Sequence, residues 1–188
     1  MPDILDLMYF PEASDEFKIA KSDWSIPAIG RHLERYEDMK GLLYAYSADD
    51  DIIADYGGSS GDGLSVLASA RRYSFGVEPV NSIRDYSRNR HPRVRMVSDI
   101  DGEIAIYNKT LRTRFTDAEY RESVRNAKAA IVVSEFGKDA PFAEPDDLIL
   151  FNKKLGLELK ELNLKRYVPL RKDEFASEVM AVFIRDTK

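Results

Sequence analysis

The sequence contains no cysteine among its 188 residues. This absence excludes disulfide bonds, zinc–thiolate sites, iron–sulfur clusters and thiol nucleophiles. A long hydrophobic run at the start is missing as well, because residues 1–10 include Asp3 and Asp6, lack a basic region and are too short for a signal peptide or a membrane span. We therefore expect a cytoplasmic protein that does not associate with membranes.

The sequence also has fewer positively charged than negatively charged residues. The chain has 28 Lys and Arg against 33 Asp and Glu, which gives a net charge of -5. Proteins that bind nucleic acid by charge neutralise phosphates with clustered Lys and Arg, so this balance disfavours a nucleic-acid partner. The composition, 44% hydrophobic and 32% charged, is that of a globular protein, and the length fits one domain with an N-terminal extension.

Short apolar runs alternate with helical segments along most of the chain. Strands are predicted at Ile52–Ala54, Phe75–Val77, Val94–Val97, Ile104–Tyr107 and Ala129–Val133, and two long ones, joined through Pro169, at Leu157–Leu164 and Val179–Ile184. Predicted helices lie between them, one of which runs from Asp117 to about Ala127 behind the capping box Thr116-x-x-Glu119. This alternation implies a mostly parallel sheet covered on both faces, because parallel strands need long crossovers.

Residues 1–48 fall outside this alternation. They contain one helical stretch, marked by the spacing of Ile29, Leu33, Tyr36 and Leu43. We expect this N-terminal extension to pack over the sheet or over its ligand-binding edge, and residues 49–188 to form the main domain.

Acidic residues stand at the ends of the first three predicted strands, where open α/β sheets bind their ligands. Asp55 precedes the glycine loop Gly57–Gly63, and Glu78 and Asp99 end the next two strands. Glycines allow the backbone close to a ligand, a carboxylate at the second strand accepts hydrogen bonds from both ribose hydroxyls, and one at the third binds an exocyclic amine. Asp55 would repel a pyrophosphate but attract an ammonium group, which favours S-adenosylmethionine (SAM) over a nicotinamide dinucleotide.

The glycine loop and the two strand ends that follow resemble the class I SAM-dependent methyltransferases. The first motif of that family is an acid, any residue and Gly-x-Gly-x-Gly, and here it reads Asp55-Tyr56-Gly57-Gly58-Ser59-Ser60-Gly61, with Ser59 in place of the middle glycine. Gly76-Val77-Glu78-Pro79 and Val97-Ser98-Asp99-Ile100 are similar to its second and third motifs. The likeness extends over about residues 51–185.

This resemblance implies an enzyme with a three-layer αβα sandwich, in which the seven-stranded sheet is mostly parallel and ends in an antiparallel C-terminal edge hairpin. It also implies SAM as the cofactor and no metal. The cofactor-binding residues carried over from the motifs are Asp55, Gly57, Gly58, Ser59 and Gly61 for the methionine portion, Glu78 and Pro79 for the ribose, and Asp99 and Ile100 for the adenine.

The sequence indicates the methyl acceptor less clearly than it indicates the cofactor. The Asp/Asn-Pro-Pro-Tyr motif of amino-methylating DNA enzymes is absent, and Tyr107-Asn108-Lys109-Thr110 stands in its place. With the acidic charge balance, this favours a small-molecule acceptor such as the hydroxyl group of a sugar or another metabolite, bound beneath residues 1–48. Lys109 is the best-placed general base, although a surface lysine is the simpler interpretation, so no catalytic residue is assigned.

Two alternatives remain open. The run Asp99-Ile100-Asp101-Gly102 is similar to the nucleophile motif of haloacid-dehalogenase-type phosphatases, although two strand–helix units precede it. A methyltransferase-like domain that has lost catalysis and serves as a binding or regulatory partner is the other alternative, supported by Ser59. Of the two histidines, His91 lies in a basic loop from Arg88 to Arg95 and is expected at the surface, and His32 is expected to have a structural role.

Overall fold

The computed structural model describes residues 26–58, 61–166 and 177–185. Within these ranges lie five helices, α1 (Ile26–Tyr46), α2 (Asp62–Ala70), α3 (Asn81–Arg90), α4 (Asp117–Ser123) and α5 (Pro145–Lys153). The strands are β1 (Ile53–Tyr56), β2 (Ser74–Val77), β3 (Arg95–Val97), β4 (Ile104–Asn108), β5 (Ala129–Phe136), β6 (Leu157–Arg166) and β7 (Ser177–Arg185). None of the described helices is long and apolar enough to cross a membrane.

The strands form one sheet in the order β3-β2-β1-β4-β5-β7-β6. Neighbouring strands from β3 to β5 are parallel, whereas β7 pairs antiparallel with β5 on one side and with β6 on the other. The predicted mostly parallel, seven-stranded sheet with an antiparallel C-terminal hairpin at one edge is therefore confirmed.

Helices cover both faces of the sheet, as an αβα sandwich requires. On one face, buried residues of α1 and α2, among them Met39, Leu43 and Leu67, pack against Ile104 and Ile131 of the sheet. On the other face the core includes residues of α4 and α5, among them Tyr120, Leu148 and Phe151. The helical stretch expected in the N-terminal extension is α1, and it supplies part of the core; Pro169 lies outside the described residues.

Several element boundaries differ from expectation by a few residues. β1 extends to Tyr56, so that Asp55 lies inside the strand and not in the loop after it. The capping box of α4 forms as predicted, but the helix ends at Ser123 instead of near Ala127. Arg185 accounts for the early end, because its guanidinium donates hydrogen bonds to the carbonyls of Val124 and Ala127.

Candidate functional site

The candidate site lies where the carboxyl ends of β2, β1 and β4 meet. The chain leaves β1 towards β2 on one side and later returns to place β4 on the other side of β1. Such a reversal opens a crevice at the strand ends, and open α/β sheets bind ligands there. The loop after β1, the residue after β2 and the last residues of β4 all border this crevice.

Glycines shape the loop after β1. Gly57 has φ of +88°, and a Cβ atom placed on it would lie 2.6 Å from Cγ2 of Thr110. Gly61 has φ of +82° and forms the N-cap of α2. Both positions therefore require glycine, and the loop packs tightly against the segment after β4. Gly58 lies between them, and Ser59 lies outside the described residues.

Asp55 is fully buried at the end of β1. Its Oδ2 accepts a hydrogen bond of 2.8 Å from the Tyr36 hydroxyl of α1, and its Oδ1 has no hydrogen-bond partner among the described residues. Burial raises the pKa of this carboxyl to about 7. The site thus contains a carboxylate oxygen that is removed from water and lacks a described donor.

Asn108 presents a second such oxygen at the end of β4. The residue is 7% exposed, and its Oδ1 has no hydrogen-bond partner within the described ranges. Because Asp55 is in register with Ile106, and alternate residues of a strand share a face, Asn108 and Asp55 lie on the same face beneath α1. Sequence reasoning named Asn108 only within a missing motif, although a polar residue that ends a buried apolar strand is itself a signal.

His32 of α1 lies over this end of β4. Its Nδ1 is 3.5 Å from Nδ2 of Asn108, and its ring contacts the ring of Tyr36 edge to face. Burial, helped by the charge of Arg35, lowers the pKa of His32 to about 4. The imidazole is therefore neutral at neutral pH.

Glu78 follows β2 directly and is fully buried. Arg114, in the loop after β4, donates a hydrogen bond of 2.7 Å to Oε2 of Glu78, and the backbone N–H of Val80 donates one of 3.2 Å to Oε1. Sequence reasoning did not identify Arg114, since nothing local relates it to a residue 36 positions earlier. A carboxylate accepts about four hydrogen bonds, so Glu78 retains capacity for a ligand.

The remaining predicted residues lie at the same edge of the sheet and make fewer contacts than Asp55 and Glu78. Pro79 and Asp99 are exposed, and Asp99 comes two residues after the end of β3. Ile100 is partly buried against the core, and its carbonyl accepts a hydrogen bond of 3.0 Å from the Tyr56 hydroxyl. The structure thus brings the three acidic strand ends to one edge, with Asp55 and Glu78 buried and Asp99 in solvent.

A buried ionic network adjoins the crevice on the β5 side. Arg35 of α1 makes two hydrogen bonds to Glu178 of β7, of 2.7 and 2.8 Å, and Lys109 pairs with both Glu178 and Glu135. Burial alone would raise the pKa of Glu178, but the hydrogen bonds and charges of Arg35 and Lys109 outweigh it and lower this pKa. Lys109, expected as a surface lysine, is therefore a partly exposed member of an ion-pair network.

The solved structures whose fold this chain resembles include three methyltransferases. The magnesium protoporphyrin IX methyltransferase of Synechocystis PCC 6803, solved with bound SAM, matches with a TM-score of 0.69 at 12% identity over 99% of both chains. A TehB-like SAM-dependent methyltransferase from Corynebacterium glutamicum matches with a TM-score of 0.56 at 16% identity, over 84% of this chain and 100% of the other. The CcbJ methyltransferase of Streptomyces caelestis matches with a TM-score of 0.60 at 14% identity, over 80% and 95%.

The chain has the class I SAM-dependent methyltransferase fold. No protein-family model matches the sequence, and no curated protein matches it. The likeness therefore rests on three-dimensional structure, at sequence identities where only the fold is preserved.

The methyltransferase fold gives no support to the phosphatase alternative. The strand before Asp99 is β3, at the outer edge of the sheet, and two strand–helix units precede it. Asp99 and Asp101 are both exposed.

Proposed function

We propose that this protein transfers a methyl group from SAM to a small molecule. The observation that carries the proposal is the pair of buried oxygens, Oδ1 of Asp55 and Oδ1 of Asn108, at the ends of β1 and β4. A buried polar atom without a partner costs about 1–3 kcal/mol, so two acceptors at one strand switch point indicate a ligand that brings hydrogen-bond donors.

An amino-acid ammonium group fits these acceptors. It carries a positive charge and three N–H donors, and a carboxylate beside an amide oxygen complements both. Asp55 would bind this ammonium through charge and Asn108 through its amide oxygen, while Gly57 and Gly61 keep side chains away from the methionine portion. The cofactor, when bound, supplies an activated methyl group on its sulfonium.

Glu78 is proposed to hold the ribose of the cofactor. Its carboxylate is buried and fixed in orientation by Arg114, and it has lone pairs left for two hydroxyl groups. Pro79, Asp99 and Ile100 follow the ends of β2 and β3, where the adenine would lie. Gly58 and Ser59, the other loop residues carried over from the first motif, are also proposed to lie beside the methionine portion.

The acceptor is proposed to enter between α1 and the ends of β4, β5 and β7. Arg35, Lys109 and Glu135 offer charged groups on this side, and neutral His32 lies 3.5 Å from Asn108. Methyl transfer depends mainly on alignment of the acceptor atom with the methyl group, which a rigid α1 would provide. Two proteins of the same fold are a magnesium protoporphyrin IX methyltransferase and a pyocyanin biosynthetic protein, and both names indicate small molecules.

Calorimetric titration with SAM tests the cofactor part of the proposal. We expect the full chain to bind SAM, and Asp55→Ala and Glu78→Ala each to weaken the affinity at least tenfold. Glu122→Ala is the matched control, because it removes an exposed carboxylate of α4 whose partner is Arg125. Absence of SAM binding by the full chain would overturn the proposal.

Turnover separates an enzyme from an inactive domain of the same fold. SAM is incubated with the protein and a panel of hydroxylated metabolites, and release of S-adenosylhomocysteine is measured. Release that depends on one acceptor and is lost in Asp55→Ala supports methyl transfer. Tight SAM binding without any release would favour the binding or regulatory alternative.

A further inference from the structure

The link between β3 and β4 crosses the sheet without a helix. Whereas α2 and α3 lie in the links before and after β2, residues 98–103 lead directly from β3 to β4. They cross on the face opposite α2, because Ile100 accepts a hydrogen bond from the Tyr56 hydroxyl and a Cβ atom on Gly102 would lie 2.7 Å from Cβ of Ala54. The described helices of this face, α4 and α5, lie in the links before and after β5. A parallel sheet is normally covered on both faces, so the outer part of this face is open to a partner.

The strand register decides which side chains point into the open area. Met96 packs with Leu64 of α2, so its neighbours in β3, Arg95 and Val97, point to the opposite face. Phe75 of β2 is in register with Arg95 and points the same way. Phe75 and Val97 are only partly buried. We refer to this surface as the β2–β3 face, which consists of Arg72, Tyr73, Phe75, Arg95 and Val97.

Two arginines lie over the aromatic rings of the β2–β3 face. The guanidinium of Arg95 is 5.4 Å from the ring centre of Phe75 and 5.8 Å from that of Tyr73, and the guanidinium of Arg72 is 5.5 Å from that of Tyr73. Stacking on a ring holds a guanidinium in place and leaves its N–H donors to other groups. Both arginines are exposed, and no acidic side chain within the described ranges pairs with either of them. The β2–β3 face is therefore apolar at its base and positively charged above it.

An acidic residue lies beside this face in the β3–β4 link. Asp101 is exposed, and no cationic side chain of the described residues pairs with it. Its neighbour Gly102 packs on Ala54, which places Asp101 near β1, two strands away from Arg95 of β3. Strands two apart in a sheet are separated by about 10 Å, so these opposite charges stand on different sides of the apolar area.

A surface with a positive side, an apolar middle and a negative side is complementary to a second copy of itself. In a twofold dimer, a residue that contacts a second residue of the other copy is contacted in turn by its equivalent. A rotation that brings Arg95 of one copy to Asp101 of the other therefore forms the pair twice, with Phe75 and Val97 between the two pairs. A different, acidic protein would pair with the arginines but would meet Asp101 with like charge.

We propose that two copies of this protein associate through their β2–β3 faces about a twofold axis, with Arg95 of each copy paired with Asp101 of the other. The apolar side chains supply most of the buried surface, and the charged pairs fix the orientation of the copies. Asp101 adjoins Asp99 and Ile100, the residues proposed for the adenine, but the association itself does not depend on methyl transfer.

Sedimentation velocity of the full chain over a series of protein concentrations tests the proposal in the absence of SAM. We expect a dimer whose affinity falls at least about tenfold in Arg95→Asp and in Asp101→Arg, because like charges then meet at both pairs. The matched controls, Arg125→Asp and Asp139→Arg, reverse exposed charges elsewhere and should dimerise as the unmodified protein does. Thermal unfolding shows whether each variant is folded.

Charge exchange distinguishes this interface from a general effect of charge. When the Arg95→Asp and Asp101→Arg variants are mixed, opposite charges meet at both pairs only in the heterodimer. Native mass spectrometry separates the two variants by mass and should show that heterodimers predominate over both homodimers. The double variant that carries both reversals in one chain should dimerise again, which a variant that merely misfolds would not do.

Three results would overturn the proposal. These are a chain that stays monomeric at every concentration, a dimer that both reversals leave as tight as the controls do, and a mixture of folded variants without heterodimers. A protein that binds SAM but does not dimerise would contradict this proposal alone, and one that dimerises without binding SAM would contradict only the methyltransferase proposal.

Discussion

At the residue scale, burial of the Asp55 carboxyl is unfavourable for stability, but the same carboxyl is proposed to bind the cofactor. Its carboxyl is buried under Tyr36, and burial raises its pKa to about 7, so both the protonated and the ionised forms are populated near neutral pH. A cationic ligand favours the ionised form. Proton and ligand therefore compete for the same carboxylate.

This competition predicts a pH-dependent affinity for SAM. Below about pH 7 the affinity should fall up to tenfold per pH unit, because binding must displace the proton from Asp55. His32, with a pKa of about 4, and Tyr36, with a pKa raised by burial, do not titrate between pH 5 and 8. Calorimetry over that range checks the prediction, and an equal pH slope in Asp55→Asn would contradict it.

The raised pKa of the Asp55 carboxyl also predicts that substitution of this residue by Asn stabilises the ligand-free protein. Because the pKa of Asp55 is raised in the folded protein, its protonated carboxyl makes its full contribution to stability below about pH 4. This contribution is lost as the pH rises through about 7. At pH 8 the ligand-free Asp55→Asn protein should therefore unfold with a free energy a few kcal/mol higher than that of the unmodified protein, at about 1.4 kcal/mol per pKa unit. Urea unfolding at pH 8 and pH 4 measures this, and the difference should disappear at pH 4.

At the element scale, the docking of α1 sets the shape of the crevice. A Cβ atom on Gly63 of α2 would lie 2.1 Å from the ring of Tyr36, so the two helices approach each other there without a side chain between them. A second attachment joins α1 to β7 through Arg35 and Glu178. Both fix Tyr36 and His32 over the strand ends.

Gly63→Ala should push Tyr36 away from Asp55. Overpacking of a core typically costs about 1–3 kcal/mol, and we expect a loss of stability in that range together with weaker SAM binding. Gly41→Ala is the control, because a Cβ atom there would meet nothing within 4 Å and alanine favours a helix. Thermal unfolding and calorimetry of both variants provide the measurement, and equal stability of the two would contradict the prediction.

Glu178→Gln should loosen α1 from the sheet. The substitution removes the negative charge of Glu178 from the buried guanidinium of Arg35, and breaking a buried ion pair typically costs about 3–5 kcal/mol. Glu122→Gln, in an exposed pair with Arg125, should cost less than about 1 kcal/mol. Chemical unfolding at neutral pH compares them, and similar losses in both would show that the network does not hold α1.

At the scale of the whole molecule, the sequence predicts the sheet better than it predicts the site. Alternating apolar runs and turn residues are local, so the strands and the acids at their ends could be placed from the sequence. The contacts that complete the site are not local: Tyr36 meets Asp55, Arg114 meets Glu78 across 36 positions, and Arg35 meets Glu178 across 143. Periodicity indicates which face of an element is buried, but it does not specify the partner.

Ligand binding should stabilise the whole fold. SAM at about 100 times its dissociation constant adds about 2.7 kcal/mol to the free energy of unfolding. For a chain of this size that corresponds to an increase of about 5–10 °C in the melting temperature. Differential scanning fluorimetry with SAM measures the shift, and a loss of affinity of at least tenfold in Asp55→Ala should reduce it to about half or less.

The position of β7 has a consequence for synthesis. Residues 177–185 form an inner strand, between β5 and β6, although they come last of the described strands. Until they have left the ribosome, the apolar β5 has no neighbour on one side, and an unpaired apolar strand edge readily pairs with other chains. A nascent chain that stalls before residue 177 should therefore depend on chaperones, whereas release of that segment completes the sheet.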